Sequence, residues 1–406
     1  MTPGPLLWLD ALQGSGIRPG LSRMRALLRE LGNPERACPS IIVAGTNGKG
    51  STSSTLASIL NASGYRTGLY TSPHLVELRE RWMIGGSMIS AESLNIAIDQ
   101  LRAAADRAGI VPTYFEGLTL IAFIAFVSCD VMVLEVGMGG RLDATNVVRP
   151  LAALITPIGF DHTEYLGTTI RQIAGEKAGV IHRGAIVLTS NDDPRVLGVL
   201  RHRAEMFGNP FHVVASTHAT PLAGEFQQRN AALAVRAAEE LRPLLPQITA
   251  DSIERGVAST QWRGRLERIE RDGKTIWIDG GHNAHAIAAI VPFIIEHVPT
   301  PRLLVFGIMS DKNIDDVTSA LFPLFDAIIA TEPYPPRSEA AARLVSLAPD
   351  RAIAEADIGQ AIERALASDY KSVVIVGSLY LAGAAIEFFS RGGAETRRRG
   401  EEKSKR

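Results

Sequence analysis

Lys49, Ser51 and Thr52 close a glycine-rich stretch, Ile41-Ile-Val-Ala-Gly-Thr-Asn-Gly-Lys-Gly-Ser-Thr52, whose residue types suit a chain of phosphates. The apolar run 41–44 reads as a buried strand, and a helix begins soon after it. Between them Gly45, Gly48 and Gly50 let the backbone curl. The N–H groups around Thr46, Asn47, Gly48 and Gly50 are then expected to face inward, with Lys49 as a point charge. Ser51 and Thr52 offer hydroxyls to a metal ion or a phosphate. The usual pattern G-x-x-x-x-G-K-[ST] is not met, because Val43 stands where its first glycine belongs and Gly50 separates Lys49 from Ser51. The stretch is a variant phosphate loop.

Other candidates sit where strands should end, since ligands of open parallel sheets bind outside the carboxyl ends of the strands. Glu135 terminates the apolar run 131–134 and precedes Gly137, Gly139 and Gly140, which leave space for a metal and a substrate. Its alternative role is to cap the next turn. His162 follows the run 152–156 by a short loop and, beside Asp161, reads alone as an ordinary hydrogen-bonded loop residue. Lys177 reads alone as a surface lysine.

Strand signals at 41–44, 131–135, 152–156 and 185–189 alternate with helical patterns, which predicts an α/β domain with a mostly parallel sheet. A second series, at 275–279, 302–306, 327–331 and 372–376, predicts a smaller Rossmann-like α/β domain. The expected division is 1–261 for the domain with the phosphate loop, 262–390 for the second, and a disordered charged tail over 391–406. At 406 residues the chain is too long for one core. With 46% hydrophobic and 21% charged residues it has ample apolar surface to bury, and a formal net charge of -1 argues against nucleic acid as the main partner. Cys38 and Cys129 lack metal-type spacing, so a reducing, cytoplasmic setting is expected. The most apolar internal run, 118–127, is too short to span a bilayer and reads as a buried helix leading into the strand at 131.

Gly-Thr-Asn-Gly-Lys-Gly-Ser-Thr resembles the ATP loop of the Mur ligase superfamily, in particular its folate branch, dihydrofolate synthase and folylpolyglutamate synthase. Thr71-Ser-Pro-His-Leu75, Thr113-Tyr-Phe-Glu116, Leu134-Glu-Val-Gly-Met-Gly-Gly-Arg-Leu-Asp-Ala-Thr-Asn146, Asp161-His-Thr-Glu-Tyr-Leu-Gly167, Gly175-Glu-Lys-Ala-Gly179, Asp279-Gly-Gly-His-Asn283 and Gly377-Ser-Leu-Tyr380 follow in the order that branch shows. The resemblance covers nearly the whole chain. It implies ATP and Mg2+ at two sites, with Ser51, Ser72, Glu135 and His162 as metal ligands, and Lys177 carbamylated. Lys49, Lys177 and His162 become the catalytic set. Asn230, Arg265 and Asp279 resemble residues that meet ATP; their bland alternatives are a helix cap for Asn230 and a pairing of Arg265 with Glu267. His282 and Ser378 resemble groups that receive the incoming glutamate. Thr113, Tyr114, Phe115, Glu116, Leu142, Asp143 and Ala144 resemble the lining of a dihydropteroate pocket, where an aromatic pair stacks on a heterocycle and a carboxylate accepts from its N–H groups. Tyr114 and Phe115 also begin an apolar helix and read equally as core. Phe226, Gly281 and Ala284 depart from the branch's usual histidine, alanine and proline.

The activity implied is ATP-dependent addition of L-glutamate to dihydropteroate and to folates through an acyl phosphate, by a monomer with small-molecule partners, no nucleic acid and no membrane. Addition to folates alone is the nearer alternative. A peptidoglycan-type Mur ligase would carry a uridine-nucleotide domain ahead of the loop, for which 44 residues before Gly45 are too few. A nucleotide switch would turn over ATP without either substrate.

Overall fold

Apolar runs bounded by glycine-rich turns become strands buried on both faces, the pattern of a parallel sheet covered by helices on each side. In the computed structural model, which describes residues 4–16 and 18–404 and their side chains as far as 391, these strands belong to two units. One takes in the chain up to His74, Leu78–Pro221 and Phe226–Gln261; the other takes in Leu75–Glu77, Leu222–Glu225 and the chain from Trp262.

The first unit carries β1 (Ser40–Ala44), β2 (Thr67–Tyr70), β3 (Trp82–Ile84), β4 (Ser87–Met88), β5 (Val131–Glu135), β6 (Ala152–Ile155), β7 (Ile186–Thr189) and β8 (Phe211–Val213). Their order is β4-β3-β2-β5-β1-β6-β7-β8. β1 lies parallel between β5 and β6, with Val43 opposite both Glu135 and Leu154. The chain leaves β1 toward β2, returns through β5, and then crosses to β6 on the other side. The strand order therefore reverses at β1, which places the crevice of the sheet at its carboxyl end. β3 and β4 form an antiparallel edge.

β2, β3, β4 and β8 have no counterpart in the sequence reading. β2 is Thr-Gly-Leu-Tyr, too short and too mixed for an apolar run, yet all four residues are buried. Gly68 serves packing here, because a β-carbon would come 2.6 Å from Cγ of Phe126. The apolar run near 118–127 does form a buried helix, Tyr114–Ala125. Trp82, fully buried, donates from Nε1 to the Leu118 carbonyl at 3.0 Å and fastens that helix to the edge strand.

The helix after the glycine-rich loop, Lys49–Ala62, is made mostly of small residues and is buried along nearly its whole length. Small side chains let a second helix, Ala250–Ala258, approach closely: a β-carbon on Gly256 would lie 2.3 Å from Cα of Ile59. Ser58 Oγ donates to the Gly256 carbonyl at 2.6 Å across the seam.

The second unit has β9 (Glu267–Arg271), β10 (Lys274–Ile278), β11 (Arg302–Phe306), β12 (Ala327–Ala330), β13 (Ala352–Ala354) and β14 (Ser372–Val376), in the order β13-β12-β11-β14-β10-β9. Only β9 runs antiparallel to its neighbour. The last helix runs Leu379–Ser404, so the backbone is helical where the sequence reading expects disorder from 391. Glu, Arg, Lys and Ala are strong helix formers and extend a helix that is already packed. Side chains beyond 391 lie outside the described residues. Among the described residues no helix is long and apolar enough to cross a membrane.

The Gly256 seam carries a prediction. Gly256→Ala must separate the two helices, and is expected to destabilise the first unit by about 1–3 kcal/mol, the usual cost of overpacking. Urea denaturation followed by circular dichroism measures it; an unchanged midpoint would show that the seam relaxes freely.

Candidate active site

Gly45 turns the chain out of β1 with φ 143°, and a β-carbon there would lie 1.8 Å from Oγ1 of Thr156, just past the end of β6. Only glycine fits. The next two N–H groups do not face inward as the sequence reading expects: Thr46 and Asn47 donate to the Pro157 carbonyl at 3.0 and 3.4 Å. Thr46 Oγ1 donates to the Gly159 carbonyl and accepts from the Gly159 N–H, both at 3.1 Å. Thr46 and Asn47 thus bind the loop to the segment leaving β6. That segment is held in turn by Asn191, whose Oδ1 accepts from Ile158 N at 2.8 Å and whose Nδ2 donates to the Thr156 carbonyl at 3.0 Å.

Gly48 has φ 88° and begins the helix Lys49–Ala62 with no side-chain cap. The N–H groups of an uncapped first turn, here Lys49, Gly50 and Ser51, have no intrahelical partner and carry the positive end of the helix dipole, which suits a phosphate. Lys49 Nζ donates to the Thr46 carbonyl at 3.0 Å, which folds the lysine back over the loop. Asn230 packs on this loop; a β-carbon on Gly48 would lie 2.3 Å from its Oδ1. It sits inside the helix Glu225–Leu241 rather than at its cap, with Nδ2 donating to Gln227 Oε1 at 3.0 Å. Thr52 Oγ1 is turned to the Asn230 carbonyl at 3.5 Å, away from the phosphate side, so of the two hydroxyls Ser51 is the one left for a ligand.

Lys177 is no surface residue. It is 4% exposed, and its Nζ donates to the Gly45 carbonyl at 2.6 Å. Burial first and the neighbouring Lys49 second lower its pKa from 10.5 to about 7. Its helix, Ile170–Ala178, is reached by the loop after β5 through glycines: a β-carbon would meet the Glu176 carbonyl at 2.8 Å on Gly140, and Cα of Arg141 at 2.4 Å on Gly179.

Glu135 ends β5 buried, and its Oε2 accepts from Ser72 N at 3.0 Å, so two expected metal ligands adjoin. His74, two residues on, accepts from Arg81 Nε at 3.0 Å, and burial followed by Arg81 lowers its pKa to about 4, leaving it neutral. His162 lies half-buried in the left-handed region at φ 50°, its N–H donating to Asp161 Oδ1 at 3.0 Å.

The residues expected to line a pterin pocket divide by environment. Glu116 Oε2 accepts from Thr113 N at 2.7 Å while Thr113 Oγ1 accepts from Glu116 N, a capping box. Glu116 also pairs with Arg23 at 3.0 Å. Asp143 is buried and organises its own loop, accepting from Thr145 N and Met138 N, each at 3.0 Å, and from Thr145 Oγ1 at 2.6 Å. Burial pushes its pKa up against those bonds. Ala144 is buried and Leu142 exposed. Phe115 and Tyr114 are half-buried; the Phe115 ring lies over the loop after Glu135, where a β-carbon on Gly137 would come 2.2 Å from its Cζ.

In the second unit Asp279 directly follows β10 and accepts from Leu266 N at 2.9 Å and Gly281 N at 2.6 Å. Burial raises its pKa, against the pull of Arg265. Arg265 does not pair with Glu267, which Arg263 holds at 2.9 Å; its NH1 donates to the Gly264 carbonyl and lies 2.5 Å from where a Gly280 β-carbon would stand. His282 Nδ1 is 2.9 Å from the Gly280 carbonyl, and Ser378, buried, accepts from Tyr380 N at 3.1 Å. Gly281 is explained locally, since a β-carbon would lie 2.7 Å from Cδ1 of Ile290.

Residues 43–212 match the Mur ligase middle domain, and residues 264–379 the Mur ligase glutamate ligase domain. The chain is 34% identical over 356 residues to the dihydrofolate synthase/folylpolyglutamate synthase of Bacillus subtilis, covering 79% of this chain and 83% of that protein. It is 35% identical over 443 residues to the protein of the same name from Mycobacterium tuberculosis, covering 92% and 91%. The chain belongs to the dihydrofolate synthase/folylpolyglutamate synthase family. A solved structure of E. coli FolC in complex with DHPP and ADP superposes with a TM-score of 0.86 at 29% identity, covering 96% of this chain and 99% of that one. Within this family fold, sequence reasoning missed Thr156, Asn191 and Gln227. The first two follow strands β6 and β7, so the rule about strand ends could have found them.

The buried Lys177 fixes a pH dependence. Folded, it gives up its proton above about pH 7; unfolded, only near its ordinary 10.5. Across that window the unfolded chain binds more protons, so the contribution of Lys177 to stability rises with pH. The stability difference between the native chain and Lys177→Met is expected to move in favour of the native chain from pH 7 upward. Denaturant midpoints at several pH values test this, and a flat or opposite slope would contradict a buried, neutral amine.

Proposed function

We propose that the chain adds L-glutamate both to dihydropteroate and to folates that already carry glutamate, through an acyl phosphate. It is an ATP-dependent, ADP-forming ligase of folate metabolism. The observation that carries the reading is the convergence, at the carboxyl ends of β1, β5 and β6, of an uncapped helix N-terminus, Lys49, Glu135 beside Ser72, and a buried Lys177. A carboxylate approaching the γ-phosphate of ATP meets charge repulsion. Lys49 and the first-turn N–H groups of Lys49, Gly50 and Ser51 reduce it by neutralising negative charge on the phosphate oxygens. Attack at phosphorus breaks the bond to ADP and leaves an acyl phosphate, and the glutamate amine then displaces phosphate to form the amide.

Ser51, Ser72 and Glu135 supply hard oxygen donors, with His162 as a further ligand. Among the described residues no cluster of three His, Cys, Asp or Glu side chains is placed to hold a metal by itself. Such a set fits Mg2+, which binds through one or two carboxylates and completes its shell from phosphate and water. When bound, Mg2+ neutralises phosphate charge. A lysine with a pKa near 7 is in good part a free amine at neutral pH, and it attacks carbon dioxide to give a carbamate and one proton. A carbamylated Lys177 then presents a carboxylate to the metal side of the loop. Cys38 and Cys129, free and buried, suit a cytoplasmic setting, and a single chain holds every residue named.

Phosphate release is to be measured with ATP, magnesium and L-glutamate, adding dihydropteroate, a reduced folate monoglutamate, or neither. Release is expected with each acceptor and not without one; release with one alone would narrow the substrate, and equal release with neither would favour a nucleotide switch. Lys49→Met is expected to lower turnover by about 100-fold or more. A 13C carbonyl signal acquired from labelled bicarbonate, and missing in Lys177→Met, is the readout for the carbamate.

A further inference from the structure

Several arginines converge on the edge of the first sheet opposite the phosphate loop. Arg149 lies just ahead of β6, Arg183 just ahead of β7 and Phe207 just ahead of β8, and these three strands are neighbours. Their lead-ins therefore meet at the amino-terminal edge. Arg203 reaches the same place from the last turn of the helix Pro194–Glu205. Arg183 and Arg203 lie over one Phe207 ring, their guanidinium carbons 5.7 and 4.6 Å from its centroid. His182, half-buried, is fixed between them and the β5 loop, its Nε2 2.8 Å from Oδ1 of Asn146. Besides burial, the groups that lower the pKa of His182 are Arg149, Arg203 and Arg25, so three guanidiniums act on one imidazole.

Several other arginines of this unit have carboxylate partners, as Arg141 with Glu176, Arg195 with Asp193 and Arg236 with Glu240. Among the described residues the side chains of Arg25, Arg149 and Arg183 have no hydrogen bond or ion pair, and Nε of Arg203 is buried with no partner. Stacking on Phe207 accounts for where two of the stems lie, but not for like charges gathered without a counter-charge in a chain of formal net charge -1. Guanidiniums present forked donors that match carboxylate and phosphate oxygens.

We propose that this edge is a binding site for a compact multivalent oxyanion, with Arg149, Arg183 and Arg203 as its ligands and Arg25 at its rim. Several guanidiniums gathered at one edge suit an anion carrying several charges better than a singly charged ion. Two sources share that chemistry, a chain of phosphates and a chain of carboxylates. The site is separated from the phosphate loop by the length of the strands, so its occupant is not the ATP of the reaction.

The test uses the full chain saturated with ADP, so that the phosphate loop is already filled. It is titrated calorimetrically at low ionic strength with tripolyphosphate and, separately, with tetra-γ-glutamate, with sodium chloride at matched ionic strength as control. At least one polyanion is expected to bind, with affinity falling steeply as salt is added. The double variant Arg149→Glu/Arg183→Glu should bind at least tenfold more weakly with basal ATP turnover unchanged. The neutral pair Arg149→Gln/Arg183→Gln should fall between, which guards against a folding defect in the charge reversal. Binding of one polyanion identifies the phosphate or the carboxylate source, and binding of both assigns the site to the shared charge. No binding of either at millimolar concentration, or equal affinity in native and variant chains, overturns the proposal.

Discussion

The corner at Gly45 is the constraint from which the site is built. With φ 143° and Thr156 filling the space a β-carbon would need, this residue lets β1 end flush against β6. Its carbonyl then points to Lys177, and the two N–H groups that follow are drawn to Pro157. One backbone turn thus orders three elements: the phosphate loop, the segment leading to His162, and the helix that carries the buried lysine. A larger residue would meet both an unfavourable backbone region and a hard overlap, costs that add.

Buried carboxylates in each unit accept from backbone N–H groups, Asp143 and Glu116 in the first and Asp279 in the second, so their charge fixes loops in place. Removing any one would strand several donors at once. Glu135 is likewise buried and accepts from the Ser72 N–H, and it does so from the last position of a strand at the carboxyl end of the sheet. Loops rich in glycine thus keep a defined shape through the carboxylates that hold their N–H groups.

Much of this was legible in the residues. Strands 41–44, 131–135, 302–306 and 372–376 announce themselves because both faces are buried and the runs are continuously apolar. β2 is hidden because its packing depends on Gly68 lying under Phe126, a contact between distant residues. The phosphate loop was recognisable, but not the direction of its N–H groups, which depends on the Pro157 carbonyl more than a hundred residues on. The burial of Lys177 was equally invisible, since a lysine flanked by Glu176 and Ala178 carries no local mark of an interior position. Long-range contacts decide these features, and local pattern cannot report them.

The bond from Lys177 to the Gly45 carbonyl joins residues 132 apart in the chain. At synthesis rates of about 5–20 residues per second, the lysine trails the loop by roughly 7–26 seconds. During that interval the loop has emerged without the partner that fixes its first turn, nor the segment after β6 that ties down Thr46. A nascent chain therefore carries the glycine-rich sequence well before the contacts that shape it exist.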